Sequence, residues 1–308
     1  MSKNEGIQVN NAPIFIGGLY KSGTSLLRAM LGQHSNIASG LETFWFDLQL
    51  NDSVYHNKKV GEEDLTCGRT RNWDGTRHEP LLLQLKRLAS FFGMDESKIL
   101  NIAFASHDPR EFLDVFMRAF ASKEGKPRWA EKTPPNVLHM AEIFTYWPQA
   151  KFIYLMRDPR DVYSSLKRAG KYCDPHDFIH LWLHFTNAYH SSIQSGMIPS
   201  HNVLEVHYED LAHEPRATMK YVLEFCNEEW EEDVADFQGK DDDFAKVRME
   251  TGKESSTLER LSKPLEKTRV GAWKRESSDS TAIDELSNIV ESLGFLERWK
   301  LYCHPAAA

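Results

Sequence analysis

The chain has 308 residues, of which 27% are charged, 41% hydrophobic and 11% aromatic, and its formal net charge is −8. This composition is that of a folded protein large enough for a sizeable core, and the aromatic content excludes a disordered chain. The negative charge argues against a protein that coats nucleic acid, although a local basic pocket is compatible with it.

Residues 1–12 are polar and lack the apolar core of a signal peptide, and no apolar run is long enough to predict a membrane span. The four cysteines are scattered, with neither a Cys-x-x-Cys pair nor metal-ligand spacing. We therefore expect a cytoplasmic protein with reduced thiols, no bound metal and no membrane partner. The predicted organisation is an N-terminal tail (1–12), a single domain (13–300) with a charge-rich loop or lid at 228–267, and a C-terminal tail (301–308).

Three apolar segments predict buried parallel strands, each followed by a helix. Ile14–Ile16 precedes two glycines and a segment with apolar side chains at helical spacing. Phe152–Met156 is apolar without alternation, as a strand covered on both faces requires, and Asp158–Pro159 then caps a helix. Val203–Val206 precedes a helix at about 215–226. Further helices are predicted at Leu81–Phe92, Pro109–Ser122, Val137–Trp147 and Phe178–Gln194. Repeated strand–helix units predict an α/β fold whose central parallel sheet is flanked by helices.

Residues 17–25, Gly-Gly-Leu-Tyr-Lys-Ser-Gly-Thr-Ser, lie between the first strand and its helix and predict an anion-binding loop. Glycines allow the tight turn, and a helix N-terminus offers unpaired N–H groups with a partial positive charge. Lys21 adds a full charge, while Ser22, Thr24 and Ser25 add hydroxyl donors. A Walker A loop has its lysine where this chain has Thr24, so the pattern argues against a P-loop kinase.

The segment 13–31 resembles the 5′-phosphosulfate loop of sulfotransferases that use 3′-phosphoadenosine 5′-phosphosulfate (PAPS). The resemblance implies a P-loop-like sulfotransferase fold, PAPS as the co-substrate and no requirement for metal. It implies that Thr24 and Ser25 hold the 5′-phosphate and that Ser22 donates to the leaving oxygen. The loop residues assigned to nucleotide binding are Lys21, Ser22, Gly23, Thr24 and Ser25.

Arg157 ends the second predicted strand, and Ser165 follows eight positions later on the capped helix. An arginine can grip a phosphate as a bidentate fork, and the carboxyl end of a strand faces the ligand crevice of an α/β sheet. This pair resembles the 3′-phosphate site of the same sulfotransferases.

Two later segments also resemble this family. Residues 207–211, His-Tyr-Glu-Asp-Leu, are similar to a family segment whose tyrosine lies near adenine, which implies that role for Tyr208. Residues 269–274 are similar to the Arg-x-Gly-x-Trp element that closes over the 3′-phosphate end. The resemblance assigns to this end of the nucleotide Arg269 and Gly271, with added charge from Lys263.

Residues 131–135, Glu-Lys-Thr-Pro-Pro, resemble the Lys-Thr-His segment of sulfotransferases that act on small phenols and steroids, but proline replaces the catalytic histidine. Lys132 is similar to the lysine that neutralises charge on the leaving phosphate or the transferred group, a task that Lys21 shares. Residues 40–43, Gly-Leu-Glu-Thr, instead resemble the Gly-Glu-Glu-Thr stretch of tyrosylprotein sulfotransferases, whose glutamate is the general base. This resemblance makes Glu42 the expected base.

Other interpretations of the base remain open. We expect the aromatic residues 44–46 to desolvate Glu42, whereas a plain ion pair between Glu42 and a lysine is the alternative. His107 and His139 are further candidate bases. The histidines at positions 176, 180 and 184 recur at helical spacing, and without a third-ligand pattern they predict a polar or acceptor-facing stripe rather than a metal site.

The sequence indicates the identity of the acceptor less clearly than that of the donor. Phe44 stands where the tyrosylprotein sulfotransferases have an arginine that contacts an acidic substrate. Aromatic surroundings favour a small-molecule hydroxyl or amine as acceptor, with a protein tyrosine second. Residues 69–78 are basic enough to bind an anionic or peptide acceptor. A P-loop kinase and a non-catalytic nucleotide-binding protein are the alternatives from other classes.

Overall fold

The structure is a computed structural model that describes residues 12–47, 81–169, 174–236, 261, 265–276 and 280–294. Within them, one parallel sheet has five strands in the order β2-β3-β1-β4-β5. The strands are β1 (Ile14–Gly18), β2 (Ile37–Ser39), β3 (Arg128–Lys132), β4 (Lys151–Met156) and β5 (Val203–His207). The predicted α/β fold with a central parallel sheet is confirmed.

Helices connect the strands and cover the sheet. They are α1 (Thr24–Leu31), α2 (Leu81–Phe92), α3 (Glu96–Ala105), α4 (Pro109–Lys123), α5 (Met140–Tyr146), α6 (Pro159–Arg168), α7 (Pro175–Gln194), α8 (Tyr208–His213), α9 (Pro215–Cys226), α10 (Trp273–Glu276) and α11 (Ser280–Ser292). Short 3₁₀ turns occur at Trp45–Asp47, Pro134–His139, Ser200–Asn202, Glu232–Val234 and Lys267–Arg269. Every residue of β1 and β3 is buried, so helices shield both faces of the sheet centre. No helix in the described part of the chain is long and apolar enough to cross a membrane.

Strands β2 and β3 were not predicted. β2 has three residues, and β3 reads Arg-Trp-Ala-Glu-Lys, which lacks the apolar run of a buried strand. The charged side chains of β3 are nevertheless about 99% buried, and each has a partner. Arg128 donates to the carbonyl of Cys226 and pairs with Glu228 at 2.8 Å. Because buried charges are stable only when paired, partners distant in sequence make this strand possible, and local periodicity cannot detect them.

The start of the predicted charge-rich loop is anchored to the sheet. Glu228 binds Arg128 of β3, and the Glu231 carboxylate accepts from the main-chain N–H of Ser35 at 2.8 Å. Most of the remaining loop, 237–260, and the tail residues 1–11 and 301–308 lie outside the described residues. The expectations of a lid, of two tails and of a single domain therefore stay predictions.

Candidate active site

Each of the five strands carries a segment of the candidate site at its carboxyl end. β1 leads into the loop 19–25, β3 ends at Lys132, and β4 and β5 are followed directly by Arg157 and Tyr208. β2 leads within three residues to Glu42. Because the strands are parallel, these segments lie along one edge of the sheet, and β1 occupies the centre, where the chain order reverses. Ligands bind at such a switch point in open α/β sheets.

The loop 19–25, called the central loop below, packs closely against its neighbours. Gly23 precedes α1 with φ of 102°, and a Cβ at this position would come within 2.4 Å of Cδ2 of Tyr208. Lys21 also has a positive φ of 66°. No side chain caps α1, and its first turn contains no acidic residue. The helix N-terminus therefore keeps its partial positive charge directed at the loop.

Arg157 links three of the segments that the sequence analysis singled out. Its Nη1 donates to the carbonyl of Lys21 at 3.1 Å, and its Nη2 donates to the carbonyl of Arg269 at 2.9 Å. Its guanidinium carbon lies 4.2 Å from the centre of the Tyr208 ring, a cation–π distance. The Arg157 side chain is 8% exposed, and its Nε has no acceptor among the residues that the structure describes.

Asp161 fixes the Arg-x-Gly-x-Trp segment against α6. Its carboxylate accepts from the main-chain N–H groups of Gly271 at 2.8 Å and Trp273 at 2.9 Å. Burial raises the pKa of Asp161, while the nearby Arg157 and these two hydrogen bonds oppose the shift. Ser165 is buried one helical turn beyond Asp161 and so continues the same helix face. The sequence analysis missed Asp161, because its partners lie 110 and 112 residues away.

Lys132 forms the second centre of the site. Its Nζ lies 2.5 Å from Oε1 of Glu42 and donates to the hydroxyl of Ser25 at 3.1 Å. The Lys132 side chain is 2% exposed and that of Glu42 is 30% exposed, so the carboxylate reaches solvent and the ammonium does not. Burial lowers the pKa of Lys132, Glu42 opposes this shift, and Arg28 of α1 adds to it. The expected base is thus ion-paired with the expected catalytic lysine.

The aromatic residues after Glu42 turn mainly towards the core. Trp45 stacks on Phe112 at a centroid distance of 4.5 Å, and Phe46 stacks on His139 at 5.3 Å. Phe44 is half-buried and lies 5.0 Å from the guanidinium carbon of Arg87 in α2. The described contacts therefore give Glu42 a charged partner, Lys132, whereas its desolvation by residues 44–46 stays a prediction.

The histidines singled out from the sequence lie elsewhere. His107 is 88% exposed and pairs with Glu111, while His139 pairs with Glu142 at 3.7 Å. His176, His180 and His184 are exposed on α7, and the described residues contain no group of three or more ligand-type side chains able to hold a metal. Lys263 and residues 69–78 lie outside the described residues, so their assignments stay predictions.

Ser25 differs from its expected surroundings. The resemblance assigns it to the 5′-phosphate, whereas its hydroxyl accepts a hydrogen bond from Lys132 here. A serine hydroxyl has a second lone pair and one donor hydrogen, so it can accept from the lysine and still donate to an anion. Ser25 therefore joins the central loop to the Glu42–Lys132 pair.

The comparisons with known proteins cover the same segments of the chain. Residues 13–232 match a model described as the sulfotransferase family. The chain belongs to the sulfotransferase family. This family match spans the central loop, Glu42, Lys132, Arg157 and Tyr208.

Curated relatives of this sulfotransferase include two animal enzymes. Protein-tyrosine sulfotransferase 1 of Danio rerio is 26% identical over 229 residues, 72% of this chain and 54% of the relative. Protein-tyrosine sulfotransferase A of Caenorhabditis elegans is 26% identical over 254 residues, 79% of this chain and 58% of the relative. The chain thus spans between half and two thirds of the length of these relatives.

Two solved structures share the fold. The sulfotransferase domain from the curacin biosynthetic pathway has a TM-score of 0.63 and 17% identity, covering 92% of this chain and 98% of its own. The sulfotransferase domain of the Synechococcus PCC 7002 olefin synthase has a TM-score of 0.59 and 16% identity, covering 92% of this chain and 94% of its own. These similarities confirm the P-loop-like sulfotransferase fold that the sequence resemblance implied.

Proposed function

We propose that this sulfotransferase transfers the sulfuryl group of PAPS to a hydroxyl or amine of a small-molecule acceptor, with Glu42 as the general base. The observation that carries the proposal is the order of segments along the sheet edge. Glu42 and Lys132 follow β2 and β3 on one side of the central loop, and Arg157 and Tyr208 follow β4 and β5 on the other. One loop thereby adjoins both a proton acceptor and an anion-binding arginine.

The residues present fit a nucleotide with two anionic ends. The buried Nε of Arg157 and the buried hydroxyl of Ser164, on the helix that follows β4, have no hydrogen-bond partner among the described residues, and both groups can donate to a phosphate. At the loop, α1 presents an N-terminus without a side-chain cap. Arg157 and Ser165 would hold the 3′-phosphate, and residues 22–25 would hold the 5′-phosphate. Gly271, whose N–H donates to Asp161, would close over the 3′-phosphate end without donating to it. PAPS supplies an activated sulfuryl group whose leaving group is a phosphate.

Sulfuryl transfer needs an acceptor that loses its proton as it attacks sulfur. In the proposed reaction Glu42 takes that proton, the bond from acceptor oxygen or nitrogen to sulfur forms, and the bond from sulfur to the 5′-phosphate oxygen breaks. Lys132 is paired with the Glu42 carboxylate before the transfer. When Glu42 becomes neutral, the positive charge of Lys132 is available to the sulfuryl and bridging oxygens. Protonation of Glu42 thereby leaves the positive charge of Lys132 unneutralised at the place where negative charge develops.

A protein tyrosine is the second candidate acceptor, and two observations favour it. The curated relatives described above carry the name protein-tyrosine sulfotransferase. In addition, Arg87 lies over the ring of Phe44, two residues after Glu42. The arginine that the sequence lacks directly after Thr43 therefore has a spatial counterpart on α2, and a cation there suits an acidic acceptor.

Calorimetric titration tests the donor half of the proposal. We expect the purified chain to bind 3′-phosphoadenosine 5′-phosphate (PAP) tightly and to bind ATP with magnesium weakly or not at all. The opposite preference would overturn the assignment of PAPS as donor.

Transfer from ³⁵S-labelled PAPS tests the acceptor half. Phenols, small amines and an acidic tyrosine peptide are compared at equal concentration with the wild-type chain and an Arg87→Ala variant. Label on the small molecules supports the first candidate. Label on the peptide alone, lost with Arg87→Ala, would replace it with the second.

A further inference from the structure

Glu131 is a fully buried carboxylate whose oxygens are occupied by neutral donors. Oε1 accepts from the main-chain N–H of Thr43 at 3.2 Å, from the Thr43 hydroxyl at 2.8 Å and from the Thr133 hydroxyl at 2.7 Å. Oε2 accepts from the side-chain amide of Asn136 at 2.6 Å. Burial raises the pKa of Glu131, and these four hydrogen bonds oppose the shift. A carboxylate so buried and so bonded holds its surroundings in one geometry.

The two threonine hydroxyls extend this network to the loop that follows Glu42. The Thr133 hydroxyl accepts from the N–H of Phe44 at 3.1 Å, and the Thr43 hydroxyl accepts from the N–H of Trp45 at 3.1 Å. Three consecutive N–H groups, those of residues 43–45, are thus bound by Glu131 or by hydroxyls that donate to it. Phe44 has φ of 52°, a left-handed conformation that a non-glycine residue keeps only when its surroundings enforce it.

The residues that Glu131 holds are the chain neighbours of the reacting pair. Thr43 adjoins Glu42, while Glu131 and Thr133 lie on either side of Lys132. Glu42 and Lys132 reach their 2.5 Å contact across 90 residues of sequence. The described contacts of the Lys132 side chain also include its hydrogen bond to Ser25. The hydrogen bonds of Glu131 therefore join the chain neighbour of Glu42 to the residues on either side of Lys132.

We propose that Glu131 is a positioning residue for sulfuryl transfer, which binds the loop after β2 to the end of β3 and so keeps Glu42 in contact with Lys132. The kinetic part of this proposal rests on the proposed function, whereas the positional part concerns the protein without substrate. Glu131 touches neither donor nor acceptor in this role. Its effect on the reaction passes through Thr43 and Thr133.

A variant that changes no charge is needed to separate the positioning effect of Glu131 from the direct effect of its charge on Lys132. Replacing Glu131 removes a negative charge that itself raises the pKa of Lys132, as Glu42 does, while Arg28 lowers it. Thr43→Val removes one of the two hydroxyls that join Glu131 to the loop, and it changes no charge. Thr43→Ser keeps that hydroxyl and serves as the conservative variant. The probe is the Lys132 side chain, followed by NMR on the full chain with ¹³Cε-labelled lysine and assigned with Lys132→Met.

The expected result is a change in the titration of Lys132 without any substrate present. Glu42→Gln should lower the pKa of Lys132 by about one unit or more, because an ionised partner within contact distance is lost. Thr43→Val should produce at least about half of that shift, and Thr43→Ser should produce much less. If Thr43→Val leaves the pKa of Lys132 at the wild-type value while Glu42→Gln lowers it, the positioning role is wrong.

A kinetic comparison gives the second readout. Thr43→Val should lower kcat with PAPS about tenfold or more and move the acid limb of the pH profile upwards, because a base that has lost its cationic partner ionises at higher pH. The KM for PAPS should stay within about twofold. Glu228→Gln, which breaks a buried ion pair far from Glu42, is the control and should lower stability without moving that limb. Equal displacement of the limb in both variants contradicts the positioning role.

The Lys132 titration and the turnover measurement test different statements, so one can be contradicted while the other holds. A wild-type chain that binds PAP and transfers no sulfuryl group to any acceptor tested overturns the proposed function and leaves the Lys132 titration to decide the position of Glu42. A titration that contradicts positioning, beside normal turnover, leaves the proposed function in place.

Discussion

Nη1 of Arg157 donates a 3.1 Å hydrogen bond to the carbonyl oxygen of Lys21, 136 residues earlier in the chain. The same guanidinium binds the carbonyl of Arg269 and lies against the ring of Tyr208. One side chain therefore joins the central loop, the end of β5 and the Arg-x-Gly-x-Trp segment. If Arg157 binds an anion as proposed, that binding is coupled to the positions of all three segments.

Arg157→Ala is expected to weaken PAP binding by about 10- to 100-fold, since hydrogen bonds to charged groups contribute about 1.5–3 kcal/mol. The loss should be much smaller for adenosine 5′-phosphosulfate, which lacks the 3′-phosphate. Calorimetric titration of both ligands measures the difference. Arg168→Ala, an exposed arginine at the end of α6, is the matched control and should leave both affinities unchanged. Equal losses for the two ligands would move the 3′-phosphate site away from Arg157.

Glu42→Gln is expected to lower kcat by about 10²- to 10⁴-fold while PAP affinity is retained, because a glutamine amide cannot accept the acceptor's proton. The variant also leaves the buried Lys132 ammonium without its carboxylate partner, so the free energy of unfolding should fall as well. Single-turnover transfer from labelled PAPS and urea unfolding measure the two effects. Glu142→Gln, which removes a half-buried carboxylate on α5, is the control. Unchanged turnover in Glu42→Gln would place the base elsewhere.

The proposed nucleotide-binding half of the site was easier to predict from the sequence than the proposed sulfuryl-transfer half. The glycine-rich loop, Arg157 and Tyr208 are each preceded by the apolar strands β1, β4 and β5, so periodicity and motif coincide there. On the other side, β3 buries three charged residues and β2 is only three residues long. The charged residues of β3 find their partners far away in the sequence, as in the pairing of Lys132 with Glu42, 90 positions apart.

Local patterns also conceal the roles of acidic residues. In the sequence, Asp161 follows an arginine and resembles a member of a surface charge cluster. In the structure it is 1% exposed and accepts from two main-chain N–H groups of the Arg-x-Gly-x-Trp segment. Glu131 and Glu209 are equally buried. Nothing in composition or spacing separates such carboxylates from solvated ones, because their partners come from distant parts of the chain.

Asp161→Ala is expected to release residues 269–276 from α6, since the N–H groups of Gly271 and Trp273 lose their acceptor. Hydrogen exchange of this segment should accelerate by about tenfold or more, and PAP affinity should fall with it. Exchange followed by mass spectrometry measures the first effect and calorimetry the second. Asp177→Ala, an exposed residue of α7, is the control. Unaltered exchange at 269–276 would show that other contacts hold the segment.

Glu209 predicts a specific pH dependence of stability. Its carboxyl is fully buried, accepts from the N–H of Asp158 at 2.9 Å, and has a pKa raised by burial to about 7 from the ordinary value of 4.5. The folded state thus holds a proton that the unfolded chain has already released between about pH 4.5 and 7, so the contribution of Glu209 to stability falls as the pH rises through this window.

Glu209→Gln is neutral at every pH and removes that dependence. Between pH 5 and pH 8 the variant should gain about 2.5 kcal/mol of unfolding free energy relative to wild type, because a shift of one pKa unit corresponds to about 1.4 kcal/mol and most of the window lies above pH 5. Urea unfolding at several pH values measures this difference, and Glu224→Gln on the exposed face of α9 supplies the control. A constant offset between variant and wild type would mean that Glu209 keeps one protonation state across the window. A gain in the predicted direction would show that the buried carboxyl beside Tyr208 titrates near neutral pH.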